Sequence, residues 1–254
     1  MADTAYAVPA NADTDTEYQL RVDLAAAYRL LAHYGMDDTV YTHTSVRLPG
    51  PDHHFLINPY GMTFDEIRAS DLIVVGLDGK LVRETPYTCN PAGFTIHSAI
   101  HMGREDAMCV MHTHTLAGMT VAALEEPLLM INQMSIEFYG RLAVHAYEGV
   151  ALDLDERERL IADLGDKPAM ILTSHGLLTV GRTVCEAFYY MYYLEMACRI
   201  HVAARSTGQR LHIPSNAVLE HTAAQFTGED KIKGTRMWPA MLRKLDRLDP
   251  SFRD

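Results

Sequence analysis

The sequence has few basic residues for its size. Its 22 lysines and arginines are outnumbered by 33 aspartates and glutamates, which gives a formal net charge of −11. Nucleic acids and anionic membrane surfaces are bound through basic footprints, so this balance argues against both as partners. No apolar run approaches the roughly 20 residues that cross a bilayer, and the first residues lack the basic and apolar regions of a secretory signal.

Cysteine motifs and nucleotide-binding motifs are missing as well. The four cysteines form no C-x-x-C pair. Their mostly apolar surroundings indicate free, buried thiols in a reducing compartment, which predicts a cytoplasmic protein. Neither G-x-G-x-x-G nor G-x-x-x-x-G-K-[ST] occurs, so a nucleotide cofactor has no support.

The apolar patterns predict one domain. Residues 1–14 are polar and predict a flexible segment, whereas residues 15–254 contain no long linker or internal repeat. Helical spacing covers residues 16–35, 90–104, 116–124, 153–164 and 183–207. Short strands are predicted at residues 39–48, 54–57, 67–75, 80–82, 108–113, 128–131, 141–144, 169–173 and 177–180. This mixture, without regular βαβ alternation, predicts an α+β or α/β/α fold with a largely antiparallel sheet.

Three histidines give the strongest functional signal. His112 and His114 lie two residues apart at the end of a predicted strand, so their side chains project from the same face. His175 follows another predicted strand. Three neutral imidazoles suit zinc, iron, copper or nickel and leave a coordination position for water or substrate. The alternative is that each histidine is only hydrogen-bonded in a polar seam.

The segments around these histidines resemble the class II aldolase/adducin family, closest to its adducin-head branch. The resemblance covers roughly residues 16–210. It is carried by YTHTSVR at 41–47, LINPYG at 56–61, NPAGFTIH at 90–97, VMHTHT at 110–115, ILTSHGL at 171–177, and Gly181-Arg182 with Glu186-Ala187-Phe188. It implies an α/β/α, class II aldolase-like fold whose central, mainly antiparallel sheet is flanked by helices. It also implies a homo-oligomer, often a tetramer with active sites at subunit interfaces.

The resemblance further implies a metal site. In the sugar-phosphate aldolases of the family, three histidines hold zinc, and their positions match His112, His114 and His175. A divalent metal is therefore expected, zinc first, with Fe(II) or Mn as alternatives.

The chain departs from those aldolases where they bind phosphate and transfer protons. Their glutamate four residues before His97 is replaced by Gly93, which has no side chain to move a proton. Their phosphate-gripping serine pair falls at Pro91-Ala92, and a glycine-asparagine pair falls at Thr42-His43. A small, non-phosphorylated substrate is therefore expected.

Other residues in or near the matched segments are candidates for the missing proton transfer. Tyr139 and Tyr147 flank the region from which family aldolases take a tyrosine proton donor. Glu137 is a further candidate acid or base, and His97 is a candidate for orienting another group. His43 and His145 are also possible bases. A packing role is the competing interpretation for each of them.

The leading functional hypothesis is a metal-dependent lyase. It would cleave a carbon–carbon bond of a small oxygenated substrate, by retro-aldol reaction or decarboxylation, through a metal-stabilised enolate. The loss of the glutamate favours decarboxylation slightly, because that reaction needs no base to remove a proton. The alternatives are a non-heme iron(II) oxygenase acting on an aromatic or 2-keto/hydroxy acid substrate, and a non-catalytic adducin-like assembly domain.

Overall fold

The computed structural model describes residues 14–126, 128–227 and 231–254. The flexible segment predicted for residues 1–14 lies outside these ranges except for residue 14, where the first helix begins. The helices are α1 (Thr14–His33), α2 (Pro91–Gly103), α3 (Leu116–Ala122), α4 (Gln133–Ile136), α5 (Glu156–Leu164), α6 (Val184–Ser206), α7 (Asn216–Thr227) and α8 (Met237–Leu248). None of these described helices is both long and apolar enough to cross a membrane.

Seven short strands form one mixed sheet at the centre of the fold. They are β1 (His43–Arg47), β2 (Phe55–Ile57), β3 (Ile73–Val75), β4 (Cys109–Thr113), β5 (Leu142–His145), β6 (Ala169–Leu172) and β7 (Gly176–Gly181). Their order in the sheet is β3-β2-β1-β4-β7-β6-β5. Five pairings are antiparallel and the pairing of β5 with β6 is parallel. The sheet is therefore mixed, which corrects the mainly antiparallel sheet predicted from the sequence.

The central strands are buried on both faces. Successive side chains of a strand point to opposite sides of the sheet. In β4, Cys109 and Met111 therefore pack into the cluster that contains α1 and α6, whereas Val110 packs against α2 and α5. His112 lies two residues beyond Val110, so it faces the α2 side. Because helices cover both faces of the sheet, the central strands have nearly continuous apolar sequences.

Two predicted strands do not form within the described chain. Residues 80–82 make only an isolated bridge between Leu81 and Val75, and residues 128–131 make no ladder hydrogen bonds of a strand. Leu128 is buried against α6, and the Leu129 N–H donates to His201 Nδ1 at 3.2 Å. The segment is apolar because it packs on a helix, and periodicity alone cannot distinguish that from a buried strand.

Two helices, α7 and α8, lie after residue 210, where the sequence analysis predicts no helix. In α8, Trp238, Met241, Leu242 and Leu245 share one face and pack against the main core. The Trp238 indole Nε1–H donates to the buried carboxylate of Asp23 in α1 at 2.9 Å. The helical spacing of these apolar residues indicates a helix with one buried face.

Two glycines lie at close backbone contacts, Gly176 between β7 and β4 and Gly181 between β7 and α6. A Cβ on Gly176 would lie 2.4 Å from the Thr113 carbonyl oxygen, and one on Gly181 would lie 2.4 Å from the Ala187 nitrogen. We expect Gly176→Ala and Gly181→Ala each to lower the free energy of unfolding by roughly 1–3 kcal/mol, because backbone atoms must separate. Urea denaturation measures this loss.

The two variants also control for each other. A Cβ on Gly176 would come within 3.2 Å of the His114 ring, whereas the contacts of Gly181 lie on α6. Zinc affinity should therefore fall only in Gly176→Ala. Equal zinc affinity in the two variants would show that the spacing of β4 and β7 does not hold the histidines.

Candidate metal centre

Three connected strands place the histidines. His112 is the fourth residue of β4, His114 follows the strand immediately, and His175 lies in the turn between β6 and β7. β7 pairs with β4, so the β6–β7 turn lies beside the end of β4. The topology therefore brings His175 to a strand end 61 residues earlier in the chain.

The three imidazoles converge. Their ring centroids are 4.6 Å apart for His112 and His175, 4.7 Å for His112 and His114, and 4.8 Å for His114 and His175. One nitrogen from each ring lies within 4.8 Å of the other two. Among the histidine, cysteine, aspartate and glutamate side chains that the structure describes, these three histidines form a group whose geometry could hold a metal ion.

Hydrogen bonds on the far side of two rings decide which nitrogen is free. His112 Nδ1 lies 2.9 Å from the Leu177 carbonyl oxygen, and His114 Nδ1 lies 2.9 Å from Asp38 Oδ2. A carbonyl and a carboxylate can only accept, so both Nδ1 atoms carry the proton. When both rings are neutral, their Nε2 atoms are unprotonated, and these two atoms face each other at 2.9 Å.

Two facing lone pairs repel each other unless a positive charge lies near both. The donor set therefore fits a divalent cation held by His112, His114 and His175, with the Leu177 carbonyl and Asp38 orienting two of the rings. Burial lowers the pKa of His112 well below the usual histidine value and that of His175 to about 4. Both rings are thus neutral at physiological pH, which is the state that binds metal.

The Asp38 carboxylate provides a test of this orientation. We expect Asp38→Ala to weaken zinc binding about 10- to 100-fold, because His114 loses the acceptor that fixes its tautomer. Competition with a chromogenic chelator measures the affinity. Asp37→Ala is the matched control, because the Asp37 carboxylate makes no hydrogen bond to the three histidines within the described structure. An equal loss of zinc affinity in both variants would refute a specific role for Asp38.

A cavity of about 490 Å³ opens beside the three histidines. Its wall combines polar groups with apolar side chains, and no lysine or arginine is among the described residues that line it. The lining comprises Tyr41, Thr42, His43, Tyr60, Asn90, Ala92, Ile96, His112, His114, Met119, Tyr147, Gly149, Val150, Ala151, Leu152, Ser174 and His175. Such a volume suits a small organic ligand.

Two cavity residues have backbone conformations that L-residues rarely adopt. Thr42 has φ of 66° and Ser174 has φ of 54°. Thr42 is β-branched, and its hydroxyl is buried without a hydrogen-bond partner. Each precedes a cavity histidine, so this backbone geometry aims His43 and His175; left-handed residues of this kind concentrate at functional sites.

The strain at Thr42 can be measured. A left-handed conformation costs a residue with a Cβ about 1–2 kcal/mol, and glycine's greater chain entropy offsets part of this gain. We expect Thr42→Gly to be more stable than Thr42→Ala by roughly 1 kcal/mol in chemical denaturation. At Thr44, in the regular part of β1, the order should invert; Thr42→Ala equalling or exceeding Thr42→Gly would mean that no strain is stored.

The structure separates the residues that sequence reasoning put forward for proton transfer. Tyr147 lines the cavity and is half exposed. His97 is fully buried and contacts the cavity only through His43, whose Nδ1 lies 2.8 Å from His97 Nε2. Glu137 and Tyr139 are not among the described residues that line the cavity, so their catalytic roles stay predictions.

Glu137 and His145 are engaged elsewhere. The Tyr189 hydroxyl donates to Glu137 Oε2 at 2.9 Å, and burial raises the pKa of this carboxyl group. His145 is buried between Asp163, 2.7 Å from its Nδ1, and Glu156, 3.3 Å from its Nε2. Both nitrogens of His145 are therefore occupied, which leaves none for a substrate.

Sequence reasoning missed Asp38. The residue lies 76 positions before His114 in a turn after α1, and its neighbour Asp37 is chemically identical. Only the pairing of β1 with β4 brings that turn to the histidines. No spacing rule in the sequence distinguishes the two aspartates.

Comparison with known proteins identifies the family of this fold. The Class II Aldolase and Adducin N-terminal domain matches residues 22–202, so the chain belongs to this family. A crystal structure of an aldolase II superfamily protein from Pseudomonas syringae is 49% identical, covers 95% of this chain and 98% of its own, and superimposes with a TM-score of 0.91.

Two further relatives point in different functional directions. An L-fuculose 1-phosphate aldolase from Glaciozyma antarctica is 29% identical, with 98% and 97% of the two chains covered and a TM-score of 0.85. Alpha-adducin of Rattus norvegicus is 40% identical over 80% of this chain, and the matched region covers 28% of the adducin. The shared fold therefore includes both an aldolase and an adducin.

Proposed function

We propose that this protein is a metal-dependent carbon–carbon lyase. The observation that carries the proposal is the convergence of His112, His114 and His175. The Nε2 atoms of the first two are 2.9 Å apart, and one nitrogen of each ring lies within 4.8 Å of the others. A divalent metal held by these residues, zinc first, would supply Lewis-acid polarisation of a substrate oxygen. The cavity beside them has the volume for a small oxygenated molecule.

The cavity wall favours a substrate without phosphate. Phosphate is usually held by arginine, lysine or clustered backbone N–H groups, and the described lining has no basic side chain. Ala92 stands where the family aldolases have a phosphate-binding serine. A compound that carries hydroxyl, keto or carboxylate groups is the better match to Asn90, Tyr60 and the cavity histidines.

The reaction we propose breaks a bond next to a carbonyl group, by retro-aldol cleavage or decarboxylation. Tyr147 lines the cavity and can donate its phenolic proton to the carbon that receives the electron pair. Gly93 has no side chain for acid–base chemistry. Retro-aldol cleavage needs a base to take the proton of the substrate hydroxyl group, whereas decarboxylation of a carboxylate does not. Decarboxylation is therefore slightly favoured. A cytoplasmic location and a homotetramer remain parts of this proposal.

Metal analysis combined with activity tests the proposal. We expect purified protein to contain about one zinc per chain and to cleave members of a panel of small 2-keto, 2-hydroxy and 3-keto acids without consuming oxygen. His112→Ala should lose both metal and activity, because one of three protein ligands is gone. His212→Ala, which removes an exposed histidine far along the chain, is the control.

Other outcomes would identify the competing functions. Bound iron with stoichiometric oxygen uptake would indicate an oxygenase. Protein without metal, whose oligomeric state and stability are unchanged by His112→Ala, would indicate a non-catalytic assembly role like that of adducin. Either result would overturn the lyase proposal.

A further inference from the structure

A buried chain of hydrogen bonds runs from the cavity into the layer between β1 and α2. His43 Nδ1 lies 2.8 Å from His97 Nε2, and His97 Nδ1 lies 2.5 Å from the Ser45 hydroxyl. The same hydroxyl lies 2.7 Å from His101 Nε2, and His101 Nδ1 lies 3.1 Å from the Ala107 carbonyl oxygen. Three imidazoles and one hydroxyl are thus linked in series.

Regular secondary structure builds this chain. His43 and Ser45 are two residues apart on β1 and point to the same face, and His97 and His101 are four residues apart on α2 and point back at it. All four side chains are at most 4% exposed. Burial lowers the pKa of His97 and, to about 3, that of His101. Burial this deep favours the neutral form of all three rings, in which each carries one N–H.

The Ala107 carbonyl fixes the direction of every bond in the chain. It can only accept, so His101 Nδ1 carries the proton and His101 Nε2 accepts from the Ser45 hydroxyl. Ser45 then accepts from His97 Nδ1–H, and His97 Nε2 accepts from His43 Nδ1–H. The result at the cavity end is a His43 ring whose Nε2 has a lone pair and makes no hydrogen bond to the described protein.

Gly93 provides the room that this ring occupies. A Cβ on Gly93 would lie 2.4 Å from His43 Cδ2 and 2.8 Å from His43 Nε2. His43 therefore fills the space into which a side chain at position 93 would point. The imidazole also packs on the His112 ring, with centroids 5.2 Å apart, and it lines the cavity.

We propose that His43 is a specificity-determining residue of the cavity, whose Nε2 accepts a hydrogen bond from a hydroxyl group of the bound substrate. Ser45, His97 and His101 are positioning residues that hold this acceptor in one tautomer. The inference rests on the proposed function, because the substrate would lie beside His112, His114 and His175. It predicts selection for a hydroxylated ligand over one without an O–H donor.

Ser45→Ala interrupts the chain at its centre. His97 Nδ1–H loses its acceptor, so the His97 ring can carry its proton on Nε2 and donate to His43. His43 would then present Nε2–H to the cavity, and the acceptor would become a donor. A packing role for Ser45 would change stability without changing this preference.

Cobalt-loaded protein can report the preference through its visible absorption, with glycolate and its O-methyl ether, methoxyacetate, as probes. The two acids share the carboxylate and the second oxygen, and in methoxyacetate a methyl group replaces the hydroxyl hydrogen. We expect wild-type protein to bind glycolate about 3- to 10-fold more tightly, the effect of one hydrogen bond. In Ser45→Ala the ratio should fall to about one or invert.

Ser98→Ala is the matched control. Ser98 is buried on α2 one residue from His97, and its hydroxyl donates to the Thr95 carbonyl at 3.3 Å, outside the chain. It should keep the wild-type preference, and Ser45→Thr, which retains a hydroxyl, should restore it. Equal affinity of wild-type protein for the two acids, or the same change in Ser98→Ala, would overturn the inference.

A measurement on metal-free wild-type protein separates this inference from the proposed function. Long-range ¹⁵N–¹H NMR of histidine-labelled protein distinguishes protonated from bare ring nitrogens, with His43→Asn used for assignment. We expect His43 to be protonated on Nδ1 and bare on Nε2. Protonated Nε2 would overturn the inference even if metal binds, whereas failure to bind any metal would refute the lyase proposal and leave the NMR result standing.

Discussion

The antiparallel pairing of β4 with β1 on one side and β7 on the other is the constraint on which the site depends. It places His112 opposite His43 in one ladder and opposite Leu178 in the other. The two flanking ladders bring the Asp38 turn and the His175 turn to the same end of β4. A register shift of one residue would turn His112 to the opposite face of the sheet.

Acceptors at the edges of the site determine its chemistry. The Leu177 carbonyl and the Asp38 carboxylate place protons on the outer nitrogens of His112 and His114, and the Ala107 carbonyl does the same for His43 through three linked groups. Each of these acceptors lies away from the cavity. In the neutral rings they leave unprotonated nitrogens facing inward, which suits a cation at one place and a hydroxyl donor at another.

The exchange of a glutamate for a glycine also has a structural counterpart. In this chain His43 reaches from β1 into the space that a side chain at position 93 would enter, so an imidazole accompanies the missing carboxylate on α2. The change replaces a carboxylate by an imidazole beside His112, His114 and His175. It also agrees with a cavity wall that contains no basic side chain to balance phosphate.

The sequence by itself determined the family, the three metal-ligand candidates and most helices and strands, because each depends on local spacing. The alternation of His43 and Ser45 and the four-residue spacing of His97 and His101 were also present in the sequence. Their meeting was decided only by the tertiary structure, as were the choice of Asp38 over Asp37 and the packing of residues 128–131 on α6. Which groups meet, and in which direction each hydrogen bond runs, depends on partners far apart in the chain, and local periodicity carries no information about them.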